Sequence, residues 1–369
     1  MAAGLRKCID MGPFEYGNDF EDVRYGANLA KIQQSGTRWV RLWVRWDLAE
    51  PTQGNLNGTY LTALDDQISQ LRASGISVML VSWLFPQWTN GTQNLPENDP
   101  NYNRAHRVRP DGSGLKSLKM QVPTGQLGIN GAWGRWIRHL YERYMGYGNV
   151  CLELVNEPNY QMWPQRQSTD PNSSAIIHQK VAEMMYTAYQ ISAGHGHTMA
   201  IAAPATSDFR RASSVYETNQ GEFISNLTAA LSSYNNFRGG PTFLWTHHHY
   251  KDTEVGDTAG VDVCRFILIN WGWHGWSATN PNGSDPGIWL TEGGARRHLC
   301  SPPTYERQRD IVQNAWFRMS FYPGIAMYCN YLLHSVPDPY DQGLRDPIPS
   351  TSGGLRPVGT LFHSWPGQA

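Results

Sequence analysis

Short apolar runs rich in β-branched and aromatic residues alternate with amphipathic stretches of helical period along the whole chain. This is the pattern of a parallel sheet with crossover helices. Eight runs read as strands, near 7–12, 38–44, 76–83, 150–156, 198–204, 242–249, 287–291 and 324–331. Helical patterns fill the intervals at 20–35, 60–74, 132–146, 175–193, 220–234, 261–272 and 303–320, with a weak last one at 356–364. Ser35-Gly36, Ser74-Gly75 and Ala193-Gly194 match helix stops, because glycine enters the left-handed conformation that ends a helix at little cost. Eight strand and helix pairs predict an α/β fold of the (β/α)8 TIM-barrel type. With no linker, repeat or low-complexity tail, residues 1–369 read as a single barrel domain. The long aperiodic segment at 84–131 follows strand three and is rich in Pro, Asn, Gly and Asp. As a loop after a strand it would overhang the rim where barrels build active sites.

Two of the strands end in a carboxylate. Glu157 closes Leu154-Val155-Asn156-Glu157-Pro158, and Glu292 closes Trp289-Leu290-Thr291-Glu292-Gly293-Gly294, 135 positions later. Cleaving a glycosidic bond with retained configuration takes two carboxyl groups roughly 5–5.5 Å apart, one as acid and then base, one as nucleophile. A barrel brings distant strand ends to one rim, so the pair points to a glycosidase.

Charge and composition narrow the ligand. Thirty basic residues face 31 acidic ones and no Lys/Arg-rich run is present, which argues against nucleic acid or an anionic membrane as partner and for a neutral carbohydrate. The 15 Trp, 18 Tyr and 11 Phe are many aromatics for this length, and several fall in loops, where flat rings stack on sugars. No apolar stretch reaches the roughly 18 residues of a membrane span, and the N-terminus lacks a signal-peptide core. Because Met-Ala-Ala-Gly runs almost directly into the first strand, that lack does not place the protein in the cytoplasm. Five Asn-x-Ser/Thr sequons, at Asn57, Asn90, Asn172, Asn226 and Asn282, are expected by chance in so Asn-, Ser- and Thr-rich a chain. The five cysteines cannot all pair: Cys8, Cys151 and Cys329 fall in strand-like runs as buried thiols, whereas Cys264 and Cys300 follow strands six and seven as the candidate disulfide. Such a bridge favours a secreted protein. Oligomeric state has no signature here.

The segment Glu153-Leu154-Val155-Asn156-Glu157-Pro158-Asn159 closely resembles the fourth-strand motif of clan A glycoside hydrolases, and Trp289-Leu290-Thr291-Glu292-Gly293 resembles their seventh-strand motif. Arg41 in Val40-Arg41-Leu42, the His248 and Tyr250 of Trp245-Thr246-His247-His248-His249-Tyr250, and Asp341-Gln342-Gly343-Leu344-Arg345-Asp346 after strand eight extend the resemblance over nearly the whole chain. The Asn-Glu-Pro-Asn wording and the following Trp163 are most similar to family 39, then family 5. The resemblance implies that Glu157 is the acid/base and Glu292 the nucleophile. It also implies that Asn156 donates to the sugar 2-hydroxyl, that Arg41 and Tyr250 keep Glu292 charged, and that no cofactor takes part. The implied substrate is a β-D-glycoside or α-L-arabinofuranoside; the long third loop favours an oligosaccharide or glycoconjugate.

Other residues carry two readings. Asn156 and Glu157 are consecutive, so both reach one site only if the strand end twists or bulges. His247, His248 and His249 contain a metal-like His-x-His pair, but alternation sets His248 beside Tyr250, which suits a glycosidase with no metal. Trp83, Trp88 and Trp163 follow strands three and four and are candidates to stack on sugar; Trp39, Trp43 and Trp46 read as core, and Trp271, Trp273 and Trp276 as packing at the opposite end. Where clan members commonly present a Trp after strand eight, this chain has Tyr331. Transglycosylation by the same pair, a carbohydrate-binding barrel without catalysis, and a metal-dependent hydrolase are the alternatives.

Overall fold

The computed structural model describes residues 5–14, 28–89, 122–123, 125–160, 162, 177–208, 218–235, 237–240, 242–275, 287–335, 341–346 and 354–365. Eight strands are present among the described residues: β1 (Arg6–Phe14), β2 (Trp39–Arg45), β3 (Ser77–Trp83), β4 (Val150–Glu153), β5 (Ala200–Ala202), β6 (Phe243–His248), β7 (Ile288–Glu292) and β8 (Ile325–Tyr331). They pair in parallel in chain order, and β8 pairs with β1 to close the barrel.

Helices Asn28–Gln34, Gly58–Ala73, Ala132–Tyr144, Ile177–Gly194, Gln220–Ser232, Ala259–Trp271, Tyr305–Ser320 and Pro357–Ser364 follow the eight helical patterns closely where those residues are described. Asn57, Asn219 and Thr304 accept from the N–H three residues on, satisfying donors that a helix start leaves open. Gly36 and Gly75 have φ of +69° and +70°, as helix stops require; the third stop falls at Gly196 rather than Gly194. Two short helices, Trp46–Ala49 and Tyr250–Val255, escape the sequence pattern because one or two turns do not establish a period.

The barrel interior is layered. Its lower layer is apolar and includes Cys8, Met79, Cys151, Ala202, Leu244, Trp289, Met327 and Cys329. The layer above, toward the C-terminal strand ends, holds Asp10, Arg41 and Glu153, all fully buried. A larger core between strands and helices includes Trp46, stacked on Trp136 of helix Ala132–Tyr144 at 5.4 Å. Register shifts in β1 after Asp10 and between β6 and β7 at His247/His248 adjust the rim, as bulges beside sites commonly do. No helix among the described residues is long and apolar enough to cross a membrane.

The Cys264–Cys300 bridge is overturned. All five cysteines are thiols. Cys264 lies inside helix Ala259–Trp271 on its buried face rather than on a rim loop, while the Cys300 thiol donates to the Arg296 carbonyl at 3.4 Å. Cys264 falls within the helical pattern at 261–272, so its place on a helix rather than on a rim loop is already in the linear pattern.

Candidate active site

One guanidinium organises the upper layer. Arg41 of β2 donates from Nε and Nη2 to both oxygens of Glu153 at 2.8 and 2.9 Å, from Nη1 to Asp10 at 2.5 Å and to Glu292, and from Nη2 to Asn156 Oδ1 at 2.7 Å. Burial acts to discharge Arg41, but Glu153, Glu292 and Asp10 overcome it and hold the guanidinium charged, its pKa well above the ordinary value. One positive charge thus serves three carboxyl groups in a dry interior. Burial accordingly pushes Asp10 and Glu153 up against the attraction of Arg41.

Glu292 closes β7 with one oxygen on Arg41 and the other accepting from Tyr250 Oη at 2.9 Å. Burial raises its pKa well above the carboxylate range; Arg41 and the Tyr250 bond pull it down, while the charges of Asp10 and Glu157 push it further up. Tyr250 is itself held as the neutral phenol, by burial first and Glu292 second, so it remains a donor. Gly293 follows because a Cβ there would lie 2.0 Å from the His249 ring.

Glu157 stands opposite. Its φ of +40° is a left-handed conformation uncommon for a side chain larger than glycine and concentrated at functional sites. This turn resolves the alternation problem: the β4 ladder ends at Glu153, Asn156 keeps a single bridge to Ala205, and Asn156 and Glu157 both face the site. His248 joins the two carboxyls, with Nδ1 2.8 Å from Glu157 and Nε2 3.4 Å from Glu292. Burial and then Arg41 keep its imidazole neutral. Ligand atoms of Glu157, His248 and Glu292 lie within 4.8 Å of one another, a spacing that could also hold a cation. Arg41 already places positive charge on Glu292, which opposes one.

The sequence matches no family model and no curated protein. Similar solved structures include GH5_18 from Streptomyces cattleya in complex with GlcNAc, at 12% identity and TM-score 0.59, over all of this chain and 83% of that one. A family 39 glycoside hydrolase from Bacteroides cellulosilyticus WH2 matches at 13% identity and TM-score 0.53, over 98% of this chain and 63% of that one. The exo-β-1,4-mannosidase Op5Man5 from Opitutaceae bacterium strain TAV5 matches at 16% identity and TM-score 0.53, over 97% of this chain. The chain has the fold of these glycoside hydrolases. It spans 58% of the length of the mannosidase structure.

Within this fold Arg41, Asn156, Glu157, His248, Tyr250 and Glu292 come together. Tyr331 joins them through its ring, 6.2 Å from Tyr250. Trp43, read as core, belongs here too: its indole donates to Asp10 at 2.9 Å and its ring lies 5.1 Å from Trp83 and 6.5 Å from Tyr331. Arg41 and His248 have no exposed surface and contact the carboxyls. Trp88 meets Trp46 edge to face and donates to the Glu50 carbonyl, contacts of the packed layer outside the barrel and not of the carboxyl pair. Trp163, Trp276 and most of segment 84–131 lie outside the described residues. Asp10 and Glu153 were missed. Strand alternation carried their signal, since Asp10 follows Cys8, and Glu153 follows Cys151, on the inward side of the barrel.

His247 and His249 turn away from the carboxyls. His247 meets Thr206 Oγ1 at 3.1 Å and is pushed down to about 3 by burial and by His248, while His249 packs edge to face on Tyr328 at 4.5 Å. The His-x-His pair therefore does not face the carboxyl site.

Proposed function

We propose that this chain is a retaining glycoside hydrolase that works by double displacement at Glu292 and Glu157. The observation that carries the reading is two carboxyl groups at the ends of β4 and β7, close enough for one imidazole to touch both. Retaining enzymes hold their pair at roughly 5–5.5 Å, whereas inverting ones leave about 6.5–9.5 Å for a water. Carboxylate oxygens of Glu157 and Glu292 within 4.8 Å of each other support the first class. Glu292 attacks the anomeric carbon while Glu157 passes its proton to the departing oxygen. Water then attacks the glycosyl ester, gives its proton to Glu157, and frees Glu292. Asn156 is positioned to donate to the 2-hydroxyl because Arg41 holds its carbonyl oxygen. Trp43, Trp83 and Tyr331 form an aromatic wall suited to the apolar face of a sugar. A β-linked oligosaccharide or glycoconjugate is the substrate class, in keeping with the strand-four and strand-seven motifs and with the β-1,4-mannosidase among the similar structures.

The test is hydrolysis of a panel of aryl glycosides and natural oligosaccharides, with the first-formed anomer followed by NMR. Retained configuration is expected, and inverted product would overturn the mechanism. A second expectation concerns Asp10. Its charge raises the Glu292 pKa and its carboxyl shares Arg41, so Asp10→Asn lowers that pKa on both counts. Glu292 then ionises at lower pH, and the acidic limb of the kcat/KM profile moves down. A limb that stays in place would remove Asp10 from control of the nucleophile.

A further inference from the structure

The lower layer of the barrel contains a thiol pair that glycoside chemistry does not use. Cys8 on β1 and Cys329 on β8 are register partners at the seam where the barrel closes, and both are fully buried. Their sulfurs are 2.7 Å apart, with the Cys329 thiol directed at Cys8. Carbon atoms in van der Waals contact stand about 3.5–4.0 Å apart, and sulfur is larger, so these atoms are closer than two resting thiols favour. Neighbouring strands are spaced by about 4.7–4.9 Å, inside the roughly 4.4–6.8 Å range of Cα separations that a disulfide spans. Register partners on neighbouring strands thus fall within the Cα separation that a disulfide spans.

We propose that Cys8 and Cys329 are an oxidation site whose product is a disulfide stapling the first strand of the barrel to the last. A low-molecular-weight disulfide of the glutathione type is the oxidant. One cysteine thiolate attacks it to give a mixed disulfide and one free thiol. The second cysteine then displaces the other half. In sum, two cysteine thiols and one oxidised glutathione become one protein disulfide and two reduced glutathiones, which carry away both protons. Since both sulfurs are buried once the barrel is closed, the exchange belongs to folding, while the seam is open.

The cross-link joins positions 321 apart and so restricts the unfolded chain over nearly its whole length. It also lies directly beneath the site. Alternation puts Asp10 on the same side of β1 as Cys8, and Tyr331 on the same side of β8 as Cys329. Asp10 and Tyr331 are themselves register partners, so the staple fixes the pair of strands that carries the Arg41 partner and part of the aromatic wall. Of the other three cysteines, Cys151 shares the layer but pairs in register with Met79 and Ala200, Cys264 sits in a helix outside the barrel, and the Cys300 thiol donates to the Arg296 carbonyl.

The full chain, unfolded and refolded in buffer with excess oxidised glutathione, is denatured and alkylated with iodoacetamide without reduction, then weighed and mapped by mass spectrometry. Of the five cysteines, Cys151, Cys264 and Cys300 are expected to carry the label, and a single cross-linked peptide is expected to contain Cys8 and Cys329. Reduction before alkylation restores labelling of all five, and dithiothreitol lowers the unfolding midpoint of the oxidised protein by several degrees. Full labelling without reduction, or a cross-link between any other pair, overturns the proposal.

Discussion

Replacing Glu292 by Gly is expected to abolish hydrolysis, with kcat falling on the order of 10⁴- to 10⁶-fold, the scale at which removal of a nucleophile is felt. The fold should survive. The variant relieves Arg41 of one of three carboxyl groups and removes a buried acid that the dry interior disfavours, so its unfolding midpoint should match or exceed that of the wild type. The space left beside Tyr250 and Arg41 is lined by donors and admits a small anion. Added azide should therefore attack the anomeric carbon of an activated aryl glycoside directly, in a single displacement. The product is a glycosyl azide of inverted configuration, identified by NMR. Azide product of retained configuration, or unimpaired hydrolysis without azide, would mean that Glu292 is not the nucleophile.

Glu157→Ala should behave differently. Without the proton donor, attack by Glu292 is slowed by about 10²- to 10⁴-fold for sugars with poor leaving groups and much less for activated aryl glycosides, whose departing oxygen needs little help. The glycosyl ester then accumulates because no base activates water, and a burst of released phenol should precede slow turnover. Azide needs no base, so it should release the ester with a second inversion and give a glycosyl azide of retained configuration. Backbone strain is not a confounder: the +40° φ is already borne by Glu157, and alanine bears it equally. Equal loss on good and poor leaving groups, without a burst, would sink the acid/base role.

The opposite stereochemistry of the two azide products follows from one displacement at the anomeric carbon against two. Between the two carboxyls stands the imidazole of His248. Burial and Arg41 keep it neutral, so it can give a hydrogen bond to one carboxyl while leaving the proton count of the pair unchanged. The Arg41 cluster adds the complementary condition. It supplies one positive charge to a set of buried acids, and burial and the neighbouring carboxyls push the Glu292 pKa up against the pull of Arg41. The pH dependence of Asp10→Asn reads the Asp10 contribution to that shift.

Much of the barrel was legible in the linear pattern because each strand is an apolar run bounded by turn residues and each long helix spans enough turns to show its period. Glu157 and Glu292 were legible for a related reason, as carboxyls placed where an apolar run stops. Trp43 shows the limit. In sequence it is one of two tryptophans on β2 with a third, Trp46, just past its end; paired strands bring it beside the Asp10 carboxyl, Trp83 and Tyr331. Trp88 shows a different limit, since its loop position says nothing of the edge-to-face contact with Trp46 that only the packed structure supplies. The Cys264 error has another origin, since the residue lies inside the helical pattern at 261–272 and its pairing as a rim residue overlooks that pattern.

The sequence by itself determined the number and order of the strands, the rim on which their ends gather, and the two glutamates, since local periodicity and turn chemistry depend on neighbours within one element. Tertiary structure alone decided the company these glutamates keep. Arg41 meets Asp10, Glu153 and Glu292 from three other strands, His248 spans β4 and β7, and Cys8 meets Cys329 across the closing seam. Such contacts are set by strand register and barrel closure, which couple positions hundreds of residues apart and leave no trace in the spacing along the chain.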